Sequence, residues 1–206
     1  MQESTGNKKK KVIIALIIGL VLVAALVTGI VLICIHRNDK SSGMNEQERF
    51  LLGDWTYIHD RKTKVAEFNR DGSAKYEGKK GSFTADGNYI YFTYDKGNTE
   101  KLRYARKQDS KKEMTVYIAS RYVLENGETP SSVAGAWYVP EKNWTFEFST
   151  KGTFLEDGVL TGHYFVDEEN GTIRLVYEKA LNDTIMYYSL SKDGLVIEYP
   201  WDMVKK

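Results

Sequence analysis

Cysteine occurs once, at Cys34, so the chain can form no internal disulfide and is held by packing and hydrogen bonds alone. Histidine is nearly as scarce. Beyond residue 40 only His59 and His163 remain, with no His-Glu-x-x-His spacing, and zinc sites and histidine-centred catalysis lack their usual groups. The Gly-x-Ser-x-Gly elbow, the Gly-x-x-x-x-Gly-Lys-Ser/Thr phosphate loop and the alternating-Asp calcium loop are also missing, so neither cofactor nor metal is expected. After Phe50 no apolar stripe of helical period lasts three turns, which excludes a helical bundle. Proline is confined to Pro130, Pro140 and Pro200.

Charge is absent from Val12 through Ile35, where Thr28 is the only hydroxyl. A helix of about 24 residues at ~1.5 Å rise covers roughly 36 Å, enough for a hydrocarbon core of about 30 Å. Lys8 to Lys11 precede the run and Arg37, Asp39 and Lys40 follow it, which sets the N-terminus on the cytoplasmic side. A cleaved signal has an apolar core of about 7 to 15 residues and a small-x-small site. The run is longer, Ile33-Cys34-Ile35-His36 is no such site, and Leu32-Ile33 ahead of Cys34 does not suit lipidation. The expectation is a cytoplasmic head over 1–11, a transmembrane helix over 12–35, a linker over 36–49 and an extracytoplasmic remainder held at the cell membrane by a single pass. A single helical turn is expected over 45–52.

The remainder repeats itself. Gly53-Asp54-Trp55 returns as Gly135-Ala136-Trp137, Phe68-Asn69-Arg70-Asp71-Gly72 as Phe148-Ser149-Thr150-Lys151-Gly152, and Gly81-Ser82-Phe83 as Gly162-His163-Tyr164, at offsets of 82, 80 and 81 residues. Such small drift is the mark of an internal duplication. Alternating runs such as 66–68, 89–94, 101–105, 144–148, 172–177 and 184–188, broken by Gly-containing turns, read as antiparallel strands. Two units follow, 50–127 and 134–206, joined by a linker at 128–133, each with roughly six strands in a meander forming a small or half barrel. A unit of that size has little interior, and a true cavity would require the two to pool strands.

The Gly-x-Trp opening, the Phe-x-x-Asp-Gly turn and the Gly-x-Phe/Tyr strand resemble the lipocalin-like domains of unknown function found on bacterial cell surfaces. That resemblance implies that Trp55 and Trp137 lock one end of a barrel, with Gly53 and Gly135 beside them. It also implies an arginine from a late strand against each Trp; Arg121 is the first unit's candidate, and the second has none after Arg174.

Among remaining residues, alternation places Ile90, Phe92 and Tyr94 on one face and Tyr89 and Tyr91 on the other. Exposed Tyr89 and Tyr91, with Trp144 in the second unit, form a candidate platform for a sugar or peptide. Asp167-Glu168-Glu169, Glu156-Asp157 and Glu178 are the carboxylates a hydrolase would draw on. Residues 50–130 carry a net +3 and residues 131–206 a net −5, which suits docking between the halves. Lys79-Lys80 and Lys111-Lys112 suit anionic surfaces; no nucleic-acid partner is expected outside the cytoplasm. The sequence points to a noncatalytic binding module at the cell surface, its ligand a glycan, lipid or peptide. A structural component contacting another envelope protein is the second reading and a carboxylate-dependent hydrolase the third.

Overall fold

The computed structural model describes residues 43–206 except 96, 180 and 181. The basic head, the apolar run 12–35 and most of the linker lie outside the described residues. Among the described residues no helix is long and apolar enough to cross a membrane.

The chain divides into two compact units, Met1–Arg49 and Phe50–Lys206. Asn45 opens helix α1 (Glu46–Leu51), whose last two residues Phe50 and Leu51 belong to the second unit, with a reciprocal cap. The Glu48 amide donates to Asn45 Oδ1 and the Asn45 amide donates to Glu48 Oε2, each at 2.9 Å.

The second unit is an antiparallel meander. Strands β1 (Gly53–Tyr57), β2 (Ala66–Phe68), β3 (Ser73–Tyr76), β4 (Lys79–Ala85), β5 (Tyr89–Tyr94), β6 (Thr99–Arg106) and β7 (Glu113–Leu124) precede the Pro130 segment. After it come β8 (Gly135–Tyr138), β9 (Thr145–Phe148), β10 (Thr153–Glu156), β11 (Leu160–Asp167), β12 (Thr172–Tyr177), β13 (Thr184–Ser191) and β14 (Gly194–Lys205). Each half therefore has seven strands where alternation suggests about six.

Sequential strands pair throughout, β14 closes on β1, and β14 also pairs with β7. That last pairing divides the circuit into two rings of eight strands: β1 to β7 with β14, and β8 to β14 with β7. Each half thus lends its last strand to the other's ring. Both shared strands are 12 residues long and their ends differ by 81 positions. In their register Tyr199 faces Ile118, its own counterpart 81 residues earlier. A strand pair in which counterparts face each other has the symmetry of a two-fold axis. Other pairs keep the correspondence: Gly53↔Phe68 matches Gly135↔Phe148, Gly81↔Tyr94 matches Gly162↔Tyr177, and Trp55↔Lys205 matches Trp137↔Leu124.

Alternation along the shared pair makes one face mainly apolar, with Ser120 interrupting it on β7. Met114, Val116 and Tyr122 of β7 and Leu195, Ile197 and Met203 of β14 are all buried. Pro200 fits this long strand because it lies between Glu198, the last partner of β13, and Met203, the first partner of β1. There one edge of β14 has no neighbour, and an absent N–H breaks no ladder. On the opposite face the charge bias of the halves takes concrete form. Arg103 Nε bonds Glu198 Oε2 at 2.6 Å, and Lys107 Nζ and Thr115 Oγ1 both reach Asp202, at 2.9 and 2.6 Å.

The recurring glycines have a steric cause. A Cβ on Gly81 would stand 2.3 Å from the Thr93 carbonyl oxygen, and one on Gly162 would stand 2.1 Å from that of Val176. Gly53 and Gly135 have φ of +116° and +152°, a region that side chains disfavour.

Candidate functional site

The two tryptophans of the signature are fully buried. Each indole N–H donates to the carbonyl four residues back, Trp55 to Leu51 at 2.6 Å and Trp137 to Val133 at 2.7 Å. In the first ring this bond satisfies a carbonyl of the last turn of α1, which the helix itself leaves open. Lys205 reaches over the Trp55 ring, its Nζ 5.0 Å from the centroid, and donates to the Phe50 carbonyl. Burial lowers the Lys205 pKa, and the nearby Arg106 and Lys112 charges lower it further. In the second ring Leu124 holds the matching position opposite Trp137. Arg121, the cation expected beside Trp55, is instead exposed on β7. The reason is the strand exchange: the late strand that meets Trp55 belongs to the other half.

The platform residues are found in two different settings. Tyr89 and Tyr91 are half-buried and pack against each other at 6.2 Å. Lys101 Nζ lies 3.5 Å from the Tyr89 centroid, the Arg103 guanidinium 4.8 Å from it, and the Tyr91 hydroxyl donates to Asp86 at 2.9 Å. The protein's own side chains thus use these faces. Trp144 instead lines a cavity of about 250 Å³ at the second ring.

The shared strands form one wall of this cavity, with Ile118, Ser120 and Tyr122 from β7 and Ile197, Tyr199 and Trp201 from β14. Their spacing of two puts each set on one face of its strand. The opposite wall is the β9–β10 hairpin, which supplies Trp144, Phe146, Glu156 and Asp157. Asp157, at a φ of +49°, closes the hairpin by exchanging bonds with Thr145: its Oδ1 accepts the Thr145 amide at 2.8 Å and its amide donates to the Thr145 carbonyl at 3.0 Å.

Glu156 is the unusual member of the lining. Its side chain is buried, 9% exposed, and among the described residues it has no cationic partner. Its Oε2 accepts the Tyr177 hydroxyl at 2.7 Å, and Tyr177 lies 3.3 Å from the Tyr199 hydroxyl. Burial pushes the Glu156 pKa up, the Tyr177 bond opposes that, and the charge on Asp157 adds to the rise. Burial also raises the Tyr177 and Tyr199 hydroxyls, which remain protonated donors.

The other residues singled out in the sequence lie apart from this cavity. His59 is exposed and stacks on Tyr57 at 5.7 Å, and His163 is exposed on β11. Asp167 is occupied by an Asn170 turn, and Glu178 accepts the Thr161 hydroxyl. Glu156 was legible by one signal only: it stands 80 residues after Tyr76, so the duplication sets a carboxylate against an aromatic core position. Comparison with protein families, with characterised proteins and with solved structures gave no match.

Proposed function

We propose that this protein is a noncatalytic binding module of lipocalin-like type, anchored by residues 12–35 with its strands outside the cytoplasm, and that it holds a small organic ligand in the second-ring cavity. The cavity carries this reading. Its walls are apolar and aromatic with a few convergent polar groups, the usual make-up of a small-molecule site. Pooling of β7 and β14 supplies the interior that seven strands alone would lack.

The test uses the four tryptophans. With 15N-labelled indoles, Trp55 and Trp137 report the locked ends and Trp144 and Trp201 report the cavity. Titration with sugars, amines, short peptides and lipid headgroups is expected to give a saturable shift of the Trp144 and Trp201 signals by at least one class, with Trp55 and Trp137 unmoved. Silence of both cavity indoles across all classes would remove the reading.

One observation favours the second reading, a component that contacts another envelope protein. Phe165, Arg174 and Ile185 are cross-strand neighbours on β11, β12 and β13, and Phe165 and Ile185 are each 52% exposed. Exposed apolar rows of this kind suit protein contact. Phe165→Ser with Ile185→Ser would abolish capture of an envelope protein under that reading and leave the indole titration unchanged.

A further inference from the structure

We propose that the second-ring cavity selects an organic ammonium ion, so that its ligand is a compact cation such as a quaternary or alkylated amine. The proposal rests on the reading of the cavity as a ligand site and names the ligand's chemistry.

Three features of the lining converge on a cation. Aromatic rings come from both walls, Tyr122, Tyr199 and Trp201 on the shared strands β7 and β14, and Trp144 and Phe146 at the β9 edge. Ring faces attract cations, most strongly where water is excluded. Two acidic residues, Glu156 and Asp157, line the same space, and neither Lys nor Arg lines it. An anionic ligand would therefore meet only like charge, whereas a cation would give Glu156 the opposite charge that it lacks among the described residues. Lys142 Nζ lies 3.7 Å from the Trp144 centroid and competes for that ring, although Lys142 is exposed and does not line the cavity.

A neutral sugar is the competing occupant, since it too stacks on aromatic rings and bonds to carboxylates. The first ring provides an internal contrast. There the Glu156 position is Tyr76, buried and stacked on Phe92 at 4.8 Å, and Lys64 stands where the second ring has Trp144. Both differences remove features a cation would use.

The decisive experiment titrates the full-length, indole-labelled chain with choline, with its neutral isostere 3,3-dimethylbutan-1-ol, and with N-acetylglucosamine. Choline is expected to shift the Trp144 and Trp201 signals and to bind at least about tenfold more tightly than the isostere. Glu156→Gln should weaken choline by about tenfold and leave the isostere within about twofold. Trp144→Leu, at an exposed position, should weaken choline without altering the protected Trp55 and Trp137 signals. Lys142→Gln should leave choline binding intact or strengthen it. Binding of the isostere or the sugar as tightly as choline would overturn the proposal while keeping the cavity a ligand site. So would a Glu156→Gln protein that binds choline unchanged. No shift with any compound would instead overturn the reading on which the proposal stands.

Discussion

The two rings share a strand order and a register but differ at the positions that matter for binding. At the end of β3 the first ring has Tyr76 opposite Ala66; at the end of β10 the second has Glu156 opposite Phe146. An aromatic ring has in effect moved one strand over, and the strand that lost it carries a buried acid. The lock differs too, with Lys205 over Trp55 and Leu124 opposite Trp137. A duplicated scaffold thus keeps its backbone constraints, the glycines and the indole-to-carbonyl bonds, while side chains inside each ring diverge.

If Trp55 and Trp137 lock equivalent ends, truncating either to Ala should cost about 3–5 kcal/mol, read by chemical denaturation. A near-zero cost at one of them would break the equivalence. Lys205→Ala should cost about 1–2 kcal/mol, because it removes a cation from the indole face and a donor from the Phe50 carbonyl. The loss at Leu124→Ala should come from packing alone and be insensitive to pH.

The Glu156 contrast is sharpened by pH. Burial holds this carboxyl above its ordinary value in the folded chain, so its contribution is fully present in acid. That contribution is lost as pH rises past the ordinary glutamate range and through the raised folded value, because the unfolded chain ionises first. Glu156→Gln should therefore melt with the wild type near about pH 4 and above it near about pH 7. Equal melting at both would show that the carboxyl is solvated. The smallest effect concerns the first ring alone, where the buried Thr56 hydroxyl has no hydrogen-bond partner among the described residues. Thr56→Val should stabilise by about 1 kcal/mol.

Much of the strand pattern is legible in the sequence. The bounds of β2, β5 and β12 coincide with their alternating runs, because a strand with one buried face writes its period into the chain. Burial of Ile90 and Phe92 with Tyr89 and Tyr91 opposite follows from the same period. What alternation does not encode is the partner. The runs Glu113–Leu124 and Gly194–Lys205 show which face is apolar and give no sign that each spans two rings. The arginine that the resemblance implies beside Trp55 accordingly falls on Arg121 within its own half, whereas the residue over the ring is Lys205 of the other half. The site was legible in part: Trp144 stood out as a platform aromatic, whereas Glu156 stood among several candidate carboxylates with no sign of its burial, which depends on β7 and β14.

The central claim is that each ring is closed by the other half's last strand. It is tested most directly by producing residues 43–129 and 130–206 as separate chains and following mass and the indole spectrum. Neither chain alone is expected to form a cooperatively folded monomer, because each lacks the strand that closes its ring. Mixing should give a one-to-one complex with the protected Trp55 and Trp137 signals restored. A monomeric 130–206 chain that unfolds cooperatively, with Trp137 protected, would contradict the shared-strand account.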